Sequence, residues 1–191
     1  EPTTTEPTTI ITTEPPIIHR NPLTGEGGYD ESLLGNRPVM VVVENHPQAR
    51  PQWGLTSSDI VFEMVAEGGI TRMILMFADS SRLPDKIGPV RSTRHYFLDL
   101  AEGYDAIFTH FGQSTYAKTQ LANHDIDNIN GYIDGSYFTR DRSRNVDSEH
   151  TAYTTKEWIL KAIENKEYRT TLKDGYDNAF NFNIDGNRVL E

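Results

Sequence analysis

A chain of 191 residues that is 36% hydrophobic can bury one good core, so one compact domain with a tail is expected. Its net charge of −10 repels nucleic acid and anionic lipid headgroups, which removes both from the default partners. The absence of cysteine excludes a disulfide framework, a thiolate-bound metal centre and a thiol nucleophile.

Residues 1–18 (EPTTTEPTTIITTEPPII) cannot bury enough apolar surface to offset the entropy of ordering, and their prolines block helix. They read as a disordered Thr/Pro/Glu stalk of the kind that holds a domain away from a membrane or wall. A start at Glu1 without methionine is what removal of an export signal would leave. Residues 19–37 carry Asn-Pro, Thr-Gly and Gly-Gly turn signals and form a loop entering the domain.

The domain itself is expected over residues 38–173. Residues 38–44 (PVMVVVE) form a continuous valine-rich run, the pattern of a strand buried on both faces. After a polar loop, residues 56–59 predict a short helical turn. Residues 60–66 and 73–78 then predict two strands joined across Gly68-Gly69. Helical spacing of Tyr96, Phe97, Leu100 and Ala101 predicts a helix over 92–102, capped by Ser92 or Thr93. A strand follows over 105–110, a helix over 114–122, and a last helix over 154–165 with a Thr154/Glu157 capping box. Residues 174–191, rich in Gly, Asn and Asp, are expected to begin a C-terminal region that continues beyond Glu191. Strands interleaved with helices predict an α/β fold, a layered domain with a mixed central sheet flanked by helices.

The arginines stand beside predicted strand ends: Arg72 after Gly-Gly, Arg91 and Arg94 after Gly88-Pro89, and Arg140, Arg142 and Arg144 together. A guanidinium fork fits carboxylate or phosphate oxygens two at a time, and clustered guanidiniums repel unless anions sit between them. Arg72, Arg91, Arg94 and Arg140 are therefore candidate ligands for an anion, at the end of an α/β sheet where ligands tend to bind. The stretch 87–94 (IGPVRSTR) predicts arginines on the first turn of a helix, where the dipole also favours an anion. The alternative is that Glu44, Glu63, Glu67, Asp99, Asp141 and Asp147 neutralise the same arginines as structural ion pairs.

Catalytic groups are less defined. Glu67, His110, Asp141 and His150 are the candidate acids and bases; His110 ends a predicted strand, while Asp141 and His150 flank an arginine-rich loop. The histidines match no helical zinc spacing, and no Walker A loop, dinucleotide fingerprint or Gly-x-Ser-x-Gly elbow is present. No cofactor is called for, although a divalent metal is compatible with an enzymatic reading.

Residues 37–52 (RPVMVVVENHPQARPQ), 59–72 (DIVFEMVAEGGITR) and 87–94, with Asn21-Pro-Leu-Thr-Gly25 upstream, resemble the signature blocks of the YerB-type bacterial lipoproteins. The resemblance spans roughly residues 21–165. It implies a lipidated cysteine upstream of the stalk, a domain outside the cytoplasmic membrane, and a second, C-terminal domain. That family's function is unknown. Gln113 departs from it, standing where glycine is expected after Gly112.

A weaker likeness links residues 111–118 (FGQSTYAK) and the strand-end arginines to the LytR-CpsA-Psr enzymes, which transfer glycan polymers to the wall. Their motifs place aspartate after the key arginines, whereas here Met73 follows Arg72 and Ser92 follows Arg91. That removes the expected metal ligands.

Three functions follow as expectations for a cell-envelope lipoprotein domain. The first is binding of an anionic ligand, such as a phosphorylated or lipid-linked glycan or a carboxylate, through the arginines. The second is processing of envelope glycans or phosphodiesters, and the third is an adaptor role toward an envelope protein through exposed aromatics such as Trp53 or Tyr116. The membrane would be met only through the lipid anchor upstream of this chain.

Overall fold

A computed structural model describes residues 17–177 and 179–182. All but Ile17 and Ile18 of the expected stalk lies outside the described residues, as do residue 178 and residues 183–191 of the expected C-terminal region.

Five strands form one mixed sheet in the order β2-β3-β1-β4-β5, with β1 at Val39–Glu44, β2 at Ile60–Val65, β3 at Thr71–Phe77, β4 at Ile107–His110 and β5 at Asn128–Asn130. β3 runs antiparallel to both β1 and β2, while β1, β4 and β5 are parallel. Helices α1 (His95–Gly103), α2 (Thr115–Asn123) and α3 (Lys156–Asn165) cover the sheet, and β6 (Thr139–Arg140) pairs with β7 (Ala152–Tyr153) beside it.

The unbroken valine run of β1 has a direct cause. Strand side chains alternate between faces, so a central strand covered on both sides must be apolar at every position. Val39, Val41 and Val43 join Leu75, Phe77 and the α3 residues Ile159 and Ala162 in one core. Met40 and Val42 join Ile74, Met76 and the α1 residues Phe97 and Leu98 in the other. The expected α/β fold, a mixed sheet between helices, is the one observed. β2 alternates half-buried and exposed residues because it forms an edge of the sheet.

Two helix starts differ from expectation. α1 begins at His95, with Arg94 in the cap position and no side-chain cap, so neither Ser92 nor Thr93 caps it. Residues 91–93 instead lie extended between β1 and the loop after β4. The Arg91 amide donates to Val42 O (3.0 Å), Phe111 N donates to Arg91 O (3.0 Å), and Thr93 N donates to Gly112 O (2.9 Å). Arg91 is therefore outside the helix rather than on its first turn. In α3 the cap is Thr155, whose hydroxyl accepts from Trp158 N, while Thr154 donates to Tyr137 O at 2.8 Å. The capping box at Thr154 does not form.

Candidate functional site

Glu44 is the last residue of β1 and pairs across the sheet with Arg72 near the start of β3. Parallel strands β1 and β4 end on this side, so the site lies beyond the carboxyl ends of the parallel part of the sheet. A cleft of about 320 Å³ opens there, with Glu67 and Arg72 on one flank and Glu149 and His150 on the other. The tight β2–β3 turn, closed by Ala66 N to Ile70 O (2.8 Å) and carrying Gly68 and Gly69 at positive φ, projects Glu67 over the cleft.

The first flank is built from two arginines and one carboxylate. Glu67 accepts from Arg94 Nε and from Arg94 Nη2 (2.5 Å), and meets Arg72 Nη2 at 3.3 Å. The remaining fork of Arg72 donates to Ser92 O at 2.7 Å. Arg72 has a side chain only 11% exposed, whereas that of Glu67 is 63% exposed. Burial, reinforced by the charge of Arg94, pushes the Arg72 guanidinium down to about 10, with Arg91 adding to the effect and Glu67 opposing it. The Arg94 hydrogen bond holds the Glu67 carboxyl below its ordinary range despite partial burial.

The second flank is rich in carboxylate. Buried Glu44 accepts from Arg91 Nε through Oε1 (3.0 Å) and meets His150 Nδ1 through Oε2 (2.9 Å). Arg91 also donates to Glu149 Oε2 at 2.7 Å. Burial works against the Arg91 charge, but Glu149 and Glu44 outweigh it and raise its pKa. Two arginines of one cleft thus shift in opposite directions: Arg72 is the more deeply buried, faces the charge of Arg94 and shares one carboxylate with it, whereas Arg91 hydrogen-bonds two carboxylates. The His150 ring stacks on His46, with centroids 4.5 Å apart and planes within 4°. His46 is fixed in turn as the cap of the 3-10 turn Pro47–Ala49, accepting from Gln48 N.

Of the eight residues named as candidate anion ligands, acids or bases, Glu67, Arg72, Arg91 and His150 line this cleft and Arg94 reaches it through Glu67; Glu44 and Asp147, named only as possible ion-pair partners, line it as well. The other three lie elsewhere. His110 is fully buried, its Nδ1 donating to Gly112 O (2.8 Å) and its Nε2 facing Asn128 Oδ1 (3.3 Å). Asp141 pairs with Lys86 (2.8 Å) and Ser143. Arg140 bonds Ser148 O and stacks over Phe111. Gln113 accepts from Asn130 Nδ2 at 2.7 Å.

Carboxylates therefore do sit between the arginines, as the structural alternative required, and an open cleft is present as well. Sequence reasoning missed Glu149 and undervalued Glu44. The available signal was a charged residue closing an otherwise apolar, doubly buried strand.

A family model described as the N-terminal domain of a protein of unknown function (DUF3048) matches residues 23–169. The Bacillus subtilis (strain 168) protein "Putative lipoprotein YerB" is 47% identical over 150 residues, covering 78% of this chain and 44% of that protein. The crystal structure of the YerB protein from Bacillus subtilis matches with a TM-score of 0.74 at 44% identity, covering 81% of this chain and 52% of that one. The chain thus spans about half the length of the relatives it matches. Among the described residues, no helix is long and apolar enough to cross a membrane.

Proposed function

This chain belongs to the DUF3048 N-terminal domain family, and from that premise we propose that it is the extracytoplasmic domain of a lipid-anchored envelope protein that binds an anionic ligand in the cleft beyond β1. The name of the Bacillus relative supports the anchor, which would be a lipidated cysteine preceding this chain. The observation that carries the anion reading is the shortage of negative charge around Arg72. Arg72 and Arg94 share the single, largely exposed carboxylate of Glu67, and burial weakens the hold of Arg72 on its proton. An oxyanion entering beside or in place of Glu67 would supply the missing charge and accept the guanidinium forks bidentately. Small phosphorylated or carboxylated groups of an envelope glycan or peptide fit this chemistry. A long polyanion does not, since the protein as a whole carries −10.

Thermal unfolding in phosphate, pyrophosphate and phosphorylated wall fragments tests the reading. A ligand at about a hundred times its Kd adds roughly 2.7 kcal/mol of stability, so the midpoint rises with concentration. Arg72→Gln and Arg94→Gln are expected to abolish that rise while remaining folded. A flat midpoint with every anion would overturn it. Conversion of a phosphodiester probe, lost in His150→Gln, would move the reading to an envelope-processing enzyme, for which the Glu44–His150 pair at 2.9 Å is the favouring geometry.

A further inference from the structure

The second flank of the cleft carries a different chemistry, independent of the anion reading. Asp147, Glu149 and His150 each offer one ligand atom, and these atoms lie within 4.8 Å of one another. All three belong to one short segment: Asp147 precedes the 3-10 turn Ser148–His150, which is closed by His150 N donating to Asp147 O at 2.9 Å.

Neighbouring carboxylates alone would say little, but the imidazole is arranged in a particular way. The His150 side chain is only 5% exposed. A carboxylate can only accept, so Glu44 Oε2 at 2.9 Å from Nδ1 places the proton on Nδ1. Nε2 then turns its lone pair outward. Among the described residues it makes no hydrogen bond, and Glu149 Oε1 faces it at 3.7 Å. A buried carboxylate fixing the tautomer of a histidine whose other nitrogen points at exposed carboxylates is the supporting arrangement of a metal-ligating imidazole. The stack on His46 holds the ring plane. Glu149 is similarly prepared, because Arg91 engages its Oε2 at 2.7 Å and leaves Oε1 toward the imidazole.

Charge points the same way. Glu44, Asp147 and Glu149 bring three negative charges to this flank, where Arg91 is the arginine that hydrogen-bonds Glu44 and Glu149 and Arg72 feels the charge of Glu44 from the other flank, so a cation would offset the negative charge that remains. We infer that Asp147, Glu149 and His150 Nε2 form a binding site for a first-row divalent cation, with Glu44 and Arg91 orienting the ligands from behind. One nitrogen and two carboxylate oxygens suit Zn²⁺ or Mn²⁺, with the remaining positions open to water or ligand oxygens. Metal–ligand distances of about 2.1 Å require the donor atoms to close to roughly 3.4 Å in a tetrahedral site. The side chains of Asp147 and Glu149 are exposed and can make that change by rotation.

The test is calorimetric titration of the untagged 191-residue chain with Zn²⁺ and separately with Mn²⁺, in a buffer without phosphate. The expected result is one ion per chain, weakened at least about ten-fold in Asp147→Asn and in Glu149→Gln. Glu157→Gln, a change to an acid on the surface of α3, is expected to bind normally. Melting curves without metal should confirm that both ligand variants are folded. Histidine ¹⁵N spectra with Zn²⁺ should show coordination at Nε2 of His150 while Nδ1 keeps its proton. Failure of both ions to bind, unchanged affinity in both variants, or coordination at another histidine would overturn the inference. None of these outcomes bears on the anion-dependent stabilisation through Arg72 and Arg94.

Discussion

Two buried histidines near the same end of the sheet have opposite consequences, and the difference lies in what their nitrogens meet. His150 gives one nitrogen to Glu44 and keeps the other toward the cleft. His110 is sealed between Gly112 O and Asn128, and burial pushes its imidazolium pKa down to about 4. The folded protein therefore carries a neutral His110 over a range where the unfolded chain, titrating near its ordinary 6.5, binds a proton. Between those values the unfolded state holds more protons, so stability rises with pH. The contribution is complete above about pH 6.5 and is lost as pH falls through about 4; the shift corresponds to about 3 kcal/mol. Urea unfolding at pH 4.5 and pH 7 should show this loss in the parent chain and a smaller one in His110→Gln. An equal loss in both would mean that His110 is not the group responsible. The sequence pointed to His110 because it ends a strand, and that placement is correct. It could not show that the loop after β4 folds back to take one ring nitrogen while β5 sets Asn128 against the other.

At the scale of elements, residues 19–37 read as loop because of their turn residues, and they are mostly loop, with one 3-10 turn at Glu31–Leu33. What the turn signals conceal is how firmly the segment is docked. Asn21 accepts from Leu23 N and donates to Asp59 Oδ1, both at 2.8 Å. Tyr29 donates to Asp79 Oδ2 at 2.5 Å, and Asp79 in turn caps the turn Ser80–Arg82. Leu23 and Tyr29 are buried in the core that α1 and α2 cover. Tyr29→Phe removes the donor and leaves the buried Asp79 carboxylate short of a partner, which should cost roughly 1.5–3 kcal/mol. Denaturant unfolding would register this as a lower midpoint with unchanged slope, and an unchanged midpoint would show that the hydroxyl contributes nothing. The displaced start of α1 has the same origin. Ser92 and Thr93 have the local chemistry of caps, but Gly112 and Phe111, distant in sequence, hold residues 91–93 extended. Local patterns give the type of each long element, and they fail where a remote strand or loop competes for the same backbone groups. The very short strands β5, β6 and β7 carry too few residues to show any periodicity.

Across the whole molecule, arginine serves two purposes at the two ends of the sheet. At the end opposite the cleft, Arg37 precedes β1 and reaches the starts of both other parallel strands. It donates to Asp105 O (2.7 Å) before β4, to the Asp127 carboxylate before β5, and to Arg169 O (2.8 Å) in the segment after α3. Arg169 closes the network by pairing with Asp105 at 2.7 Å, and Lys173 N donates to the same carboxylate. No spacing rule could have joined positions 37, 105, 127 and 169, so this clamp was invisible in the sequence, while the cleft arginines drew attention because they cluster. The contrast yields a discriminating prediction. Arg37→Met strips the Asp127 carboxylate, and that of Asp105 at 3.6 Å from Nη2, of a buried partner, and losses of about 3–5 kcal/mol follow from breaking such a pair on one side. Arg72→Met removes a charge that its neighbours already oppose, so without ligand it should cost clearly less, and it should cost more when a binding anion is present. Urea unfolding of both variants, with and without pyrophosphate, separates the two roles. If Arg72→Met is as damaging as Arg37→Met in the absence of anion, Arg72 is a structural arginine and the anion reading loses its foundation. If the cost appears only with pyrophosphate, the cleft holds its arginines ready for a ligand that the rest of the fold does not need.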